Sequence, residues 1–260
     1  MANQPKILLY DAPTSPCGRR VRMCLLEKGL SAEIHWLNLS LFEQKQDWFL
    51  TINPNGTVPA ALVDDRAIYE SHAINGYLEA LKLGRPLLPA DAYAQAEVAM
   101  WQAFELAWAK PFAEIIYETS MKERARSLGL SADALNKQIA KNTTNPVYHA
   151  KARHVLEDPP DRDLIANRLA IVFERLSHLE RTLEDGRTFL VGEAFSLADI
   201  AVVPRLEMFP RIGVHDLYER FPAIGAYTRR ITARSSWRRS AFSFPPEENS
   251  AHIRATEPAA

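Results

Sequence analysis

The stretch APTSPCGRRV, residues 12–21, places a hydroxyl at Ser15 and a thiol at Cys17 on either side of a proline. Side chains of these two types act as nucleophiles, or hold an anion by hydrogen bonding. Ser15 has two readings. Serine at the N-cap with proline at the first helical position is a favoured way to open a helix. The same hydroxyl, at the positive end of that helix, is also placed for chemistry. Cys17 falls in the first turn, where the macrodipole and neighbouring Arg19 and Arg20 supply the positive field a reactive thiol needs. Free cysteines are also common inert core residues, the reading that suits Cys24 among its apolar neighbours.

A second constellation is NPNGTVPAALVDDRAIYES, residues 53–71. Pro59 removes a ladder donor from the apolar strand that Val58 opens. Either it marks only an edge strand, or a cis peptide turns the N–H and C=O of Val58 outward to pair with an extended peptide ligand. Glu70 and Ser71 end a strand and open a helix. Ser71 is then a plain N-cap, or its hydroxyl and the free N–H groups of the first turn seat a carboxylate while Glu70 takes an ammonium. An α-amino acid head group carries those two charges side by side.

Trp101, Phe104, Trp108 and Phe112 recur at three- and four-residue spacing, with Tyr117 beyond. Such a stripe makes a core or dimer face, or a flat-walled pocket for an aryl substrate. The histidines show no metal-ligand spacing, so no metal is expected, and His149 and His154 are expected at the surface. Ser196 and Asp199 in FSLADI fit a helix cap, with Asp in place of the usual Glu or Gln.

The elements that must position these residues follow from periodicity and breakers. Residues 6–12 read as a strand, 16–28 as a helix stopped by Gly29, 33–37 as a second strand, and 41–51 as a helix ended by Asn53-Pro54. Residues 58–63 and 67–70 form a hairpin about Asp64-Asp65-Arg66, and 71–82 a helix with Ile74, Tyr77, Leu78 and Leu81 on one face. The order is βαβαββα, an α/β domain over residues 1–84. From residue 92 to 245 helical patterns dominate without a convincing strand, an all-α domain. Pro204, inside the helix that Ser196 opens, predicts a bend. Residues 121–161 are polar and expected to be partly irregular, and 246–260 a loose tail.

Bulk properties exclude several classes. The 260 residues are 47% hydrophobic and 24% charged, with 31 Lys and Arg against 32 Asp and Glu. That balance gives no electrostatic case for nucleic acid or an anionic membrane. No run reaches the ~18 apolar residues of a transmembrane helix. The N-terminal residues lack the charged and apolar regions of a signal peptide. Cys17 and Cys24, roughly 10 Å apart along one helix, cannot form a disulfide. A reducing, cytoplasmic setting is expected.

With SPC before the first helix, NPNGTVP, ES and FSLADI in this order, the chain resembles the cytosolic glutathione S-transferases over about residues 5–245. The resemblance implies a thioredoxin-like N-terminal domain that binds glutathione as co-substrate, an all-α C-terminal domain lining the electrophile pocket, and a homodimer. It implies that Glu70 and Ser71 hold the γ-glutamyl group, and that Val58 before cis-Pro59 pairs with the cysteinyl backbone. Thr57 and Gln44 match positions that reach the glycyl end. Ser15 matches the hydroxyl that donates to the glutathione sulfur and stabilises its thiolate. Trp108, Phe112 and Tyr117 would face the electrophile.

Residues 42–60 and the polar stretch near 140–160 are similar to bacterial β-aryl etherases, which open aryl ethers with glutathione. The S-x-C pattern is also similar to zeta-class isomerases and reductive dehalogenases, in which Cys17 would act as a second catalytic thiol. The resemblance therefore implies one of three functions: a Ser15-dependent transferase, a Cys17-dependent oxidoreductase or isomerase, or a non-catalytic glutathione-binding protein.

Overall fold

The computed structural model describes residues 4–127, 129–142, 154–242 and 250–253. Strand β1 (Ile7–Asp11) runs into helix α1 (Pro16–Lys28). Gly29 closes that helix at φ 64°, the left-handed conformation that glycine adopts without penalty. Strand β2 (Ala32–Trp36) pairs parallel to β1 and alternates buried and exposed residues.

Where one helix was expected over 41–51, the chain makes 3-10 turns at Leu39–Leu41 and Glu43–Lys45 and then a short helix α2 (Asp47–Ile52). The break has a local cause. Asn38 caps the first turn through its side chain and receives the Glu43 carboxylate on its N–H at 2.6 Å, while Phe42 between the turns sits at φ 59°. Strands β3 (Ala60–Val63) and β4 (Arg66–Tyr69) form the expected hairpin, with Asp64 and Asp65 both at positive φ in the turn. Helix α3 (Ser71–Ala80) stops two residues short of the expected end, and Lys82 turns to φ 56°.

The sheet order is β4-β3-β1-β2-β5. Its fifth strand, β5 (Ser250–Ile253), corrects one expectation: the tail, expected to be loose over 246–260, forms a strand over these four residues. β5 runs antiparallel to β2 and covers the edge that β2 would otherwise leave unpaired. Ile253 is buried and His252 exposed, an alternation too short to stand out in a Pro- and Glu-rich sequence. Residues 243–249 and 254–260 lie outside the described residues.

The second domain is helical: α4 (Ala92–Ile116), a π-helical turn Tyr117–Met121, α5 (Lys122–Ser127), α6 (Ala132–Asn142), α7 (Arg162–Leu183), α8 (Leu197–Leu206), a 3-10 turn Phe209–Ile212, α9 (Leu217–Arg220), α10 (Pro222–Thr232) and α11 (Ser235–Arg239). The described part of the polar stretch 121–161 is thus more helical than expected. Leu135 and Ile139, one turn apart on α6, pack against Leu41 and Phe42 of the first domain, and this tertiary contact stabilises a helix of weak intrinsic pattern. His149 lies outside the described residues. Pro204 sits inside α8, which ends two residues later. Helix α8 is buried along its whole length, and one continuous core joins it to α1, α4 and α7. Among the described residues no helix is long and apolar enough to cross a membrane.

Candidate active site

Ser15 caps α1 as expected. Its backbone is extended, and its Oγ accepts a hydrogen bond from the Gly18 N–H at 3.0 Å. The cap uses an oxygen lone pair, so the hydroxyl proton remains available for donation. Gly18 is required here by close approach: a Cβ would lie 1.7 Å from an oxygen of the Asp11 carboxylate. Asp11, buried at the end of β1, is in contact with Arg22, yet burial pushes its carboxyl up to about 6. Cys24 is fully buried and its thiol is pushed up by that burial, which makes it a core residue.

Cys17 is the second residue of α1, in its first turn, and is half-buried. The Nη1 of Arg20 stands 3.5 Å from its sulfur and the Nη2 of Arg205 3.8 Å. These guanidiniums belong to a larger cluster. Glu105, wholly buried on α4, is in contact with Arg20 and accepts from the Nε of Arg205 at 2.5 Å, while the Nε2 of His72 lies 3.4 Å from its second oxygen. Burial raises the Glu105 carboxyl, but the charges of Arg20 and Arg205 and the bonds from His72 and Arg205 hold it well below the usual carboxylate range. Arg20 also donates to the carbonyl of Ala201 at 2.9 Å and to the Ser71 hydroxyl at 3.3 Å. One buried charge cluster therefore ties α1, α3, α4 and α8 together beneath the cleft.

The Val58–Pro59 peptide is cis. The Asn53 amide fixes the preceding loop by donating to the Thr57 carbonyl at 2.7 Å. Glu70 holds φ 68° and ψ 121°, a conformation that costs a non-glycine residue about 1–3 kcal/mol. Its carboxylate accepts from the Asn55 amide at 2.9 Å. The structure corrects the reading of Ser71 as a plain N-cap: Glu70 occupies the cap position, and the Ser71 hydroxyl, in the first turn, meets Arg20 instead.

These residues line two adjoining chambers between the domains, with cavity volumes of about 480 and 580 Å3. Both share Pro16, Thr57, Val58, Tyr117 and Met121 as walls. Ser15 and Gln44 face the first chamber; Cys17, Pro59, Glu70 and Ser71 face the second. Phe112 borders the second chamber and Tyr117 lines both. Trp108 does not: it is fully buried among Phe104 and Phe209, because its helical position turns it into the core. His154 is half-exposed and bonded to Glu118 and Asp158.

Sequence reasoning missed Lys45, Asn55, Arg205, Arg211 and the Glu105 cluster. For Glu105 a signal existed. It stands four residues after Trp101 and three before Trp108, on the apolar stripe itself, and an acid in that place demands a partner.

Comparison with known proteins agrees with this geometry. Residues 14–81 match the glutathione S-transferase N-terminal domain and residues 144–235 the glutathione S-transferase C-terminal domain. The chain is 31% identical to Protein LigF of Sphingobium sp. strain SYK-6, over 81% of this chain and 83% of that protein. It is 30% identical to glutathione S-transferase 3 of Zea mays, over 91% of this chain and 94% of that one. The crystal structure of beta-etherase LigF superposes with a TM-score of 0.75 at 27% identity, covering 90% of this chain and 98% of the other. With both domains matched and such identity sustained across most of both lengths, the chain belongs to the glutathione S-transferase family.

Proposed function

We propose that this enzyme uses Ser15 to keep glutathione ionised for attack on an aromatic or aryl-ether electrophile, in the manner of a β-etherase. The Ser15 hydroxyl donates to the glutathione sulfur, the thiolate attacks the electrophilic carbon, and the leaving group departs with the bond electrons and is then protonated. The observation that carries this reading is the placement of Ser15 at a helix N-terminus on the cleft wall, with its oxygen satisfied by Gly18 and its proton uncommitted. Val58 pairs with the peptide backbone, Glu70 and Ser71 take the γ-glutamyl ammonium and carboxylate, and Thr57, Gln44 and Lys45 face the glycyl end. The aryl group lies against Ile116, Tyr117 and Met208. The likeness to the beta-etherase LigF supports the aryl-ether class. Exposed Tyr93 and Met100, seven residues apart on α4, give a homodimer apolar surface to bury. The free cysteines suit a cytoplasmic setting.

The test is Ser15→Ala. Loss of a positioned donor to a developing or stabilised anion lowers turnover by about 10²–10³-fold, and the ultraviolet thiolate absorbance of bound glutathione should fall with it. A second reading has its own observation: Cys17 faces the cleft between two guanidiniums. There the Cys17 thiolate would attack the sulfur of a glutathionyl conjugate and break its carbon–sulfur bond. The carbon leaves with the electron pair and is protonated, and a second glutathione thiolate displaces Cys17 from the mixed disulfide as glutathione disulfide. If Ser15→Ala keeps turnover and Cys17→Ser abolishes it, that second reading replaces the first. Glutathione binding without turnover of any electrophile would leave the non-catalytic one.

A further inference from the structure

We infer that the cleft is built for an electrophile carrying its own anionic group, a carboxylate or sulfonate on an aryl framework, and that Arg211 seats that group. This rests on the transferase reading and adds the charge of the second substrate. Among the described residues, the chamber that holds Ser15 is lined by three cations, Lys45, Arg124 and Arg211, and by no Asp or Glu; Glu70 and Glu105 face the other chamber. Lys45 stands on the first-domain wall beside Gln44 and donates to the Asn55 carbonyl at 3.1 Å. Arg124 on α5 and Arg211 on the turn Phe209–Ile212 stand on the helical wall.

The guanidinium of Arg211 makes no hydrogen bond or ion pair with any described residue. The acid one turn before it, Glu207, is occupied by the Tyr218 hydroxyl at 2.5 Å. Arg211 is exposed, and its charge depresses both Arg124 and Arg19. The same chamber is also lined by the apolar side chains of Ile116, Met121 and Met208. An exposed cation with cationic neighbours and no counter-ion among the described residues attracts anions and repels cations. A ring lying on the apolar wall would reach the Ser15 side with its reactive carbon and Arg211 with an acidic substituent.

The experiment compares chlorodinitrobenzene with its carboxylate, chlorodinitrobenzoate, each rate divided by the uncatalysed reaction with glutathione. The carboxylate should gain about tenfold more in kcat/KM, the worth of a hydrogen bond to a charged group. In Arg211→Met the ratio of the two should collapse to about one, and Arg211→Lys, a point charge without the guanidinium fork, should restore part of it. A ratio that Arg211→Met does not move overturns the inference. So does a loss confined to the KM for glutathione, which would assign Arg211 to the peptide. If the wild type turns over neither compound, the transferase reading fails, and charge selection is read separately by fluorescence titration with anilinonaphthalene sulfonate and uncharged phenylnaphthylamine. A sulfonate preference lost in Arg211→Met upholds the inference; equal binding of the two probes overturns it.

Discussion

Glu105 and Asp199 are both wholly buried carboxylates in the helical domain, and they are satisfied in opposite ways. Asp199 is met mainly by its own neighbourhood. It accepts from the N–H groups of Leu190 at 2.9 Å and Ser196 at 2.8 Å, and from the Tyr227 hydroxyl at 2.7 Å. None of those donors is charged, and burial keeps its carboxyl above the usual value. Glu105 is met by Arg20, His72 and Arg205, drawn from three other helices and both domains. The first arrangement closes one helix end. The second joins the domains and places positive charge beside Cys17 and Ser71. A locally satisfied acid stabilises an element, whereas one satisfied at long range fixes how elements meet.

The strongest way to break this comparison is Glu105→Gln. It leaves two buried guanidiniums without a counter-charge, and removing one partner of a buried pair costs about 3–5 kcal/mol. Denaturant titration should show that loss, and cleft chemistry should weaken with it, since Arg20 bonds both Glu105 and Ser71. Asp199→Asn keeps the shape and one acceptor oxygen, so its cost should be smaller, about 1–3 kcal/mol for a misplaced buried bond.

Acid titration sharpens the contrast because the signs differ. The Glu105 carboxyl is lowered on folding, so its contribution is present above its unfolded value of 4.5 and is lost as pH falls through the folded value. The Asp199 carboxyl is raised from 3.8, so its contribution is present below that value and is lost as pH rises through the folded one. The wild type's advantage over Glu105→Gln should therefore shrink toward acid, and its advantage over Asp199→Asn should shrink away from it. Equal costs, or parallel slopes, would show that the distance of the partners does not matter.

The same divide sets how much of the molecule was legible in the sequence. Ser15 before Pro16, Gly29 after Lys28, the Asp64-Asp65 turn and the Ser196–Asp199 cap are decided within a few residues, and the α/β order followed from them. The first-domain half of the cleft, Val58 to Ser71, was legible for that reason. Trp108 was misread because periodicity gives a helix face without saying which neighbour that face meets. The segment 41–51 broke into turns because Asn38 and Glu43 bond to each other, which an apolar spacing does not report. β5 needs β2 as its partner, more than 200 residues earlier, and a four-residue strand carries too little pattern to announce it. Arg211 gains meaning only from the absence of acids among the described residues lining the Ser15 chamber.

Glu118 supplies an intermediate case and the smallest expected effect. Its carboxylate has a near partner, Lys122 at 2.7 Å one turn on, and two distant ones, the Asp161 N–H and the Nε2 of His154, each at 3.0 Å. Burial opposes ionisation, but those bonds and the Lys122 charge bring the carboxyl down to about 2. His154, bonded also to Asp158 at 2.8 Å, is raised from 6.5 by the bonds its charged ring donates to those two carboxylates. Its charged form should therefore stabilise the fold fully below 6.5 and lose that effect as pH rises through the folded value. Solvent reaches the ring, so screening limits the gain to about 0.5 kcal/mol. The Tm of the wild type should exceed that of His154→Gln at about pH 6, and the two should converge by about pH 8. A difference that grows with pH would show that the neutral ring holds the contact. In that case the stack of His154 on Tyr117, with ring centroids 6.0 Å apart, rather than its charge, would link this clamp to the cleft wall.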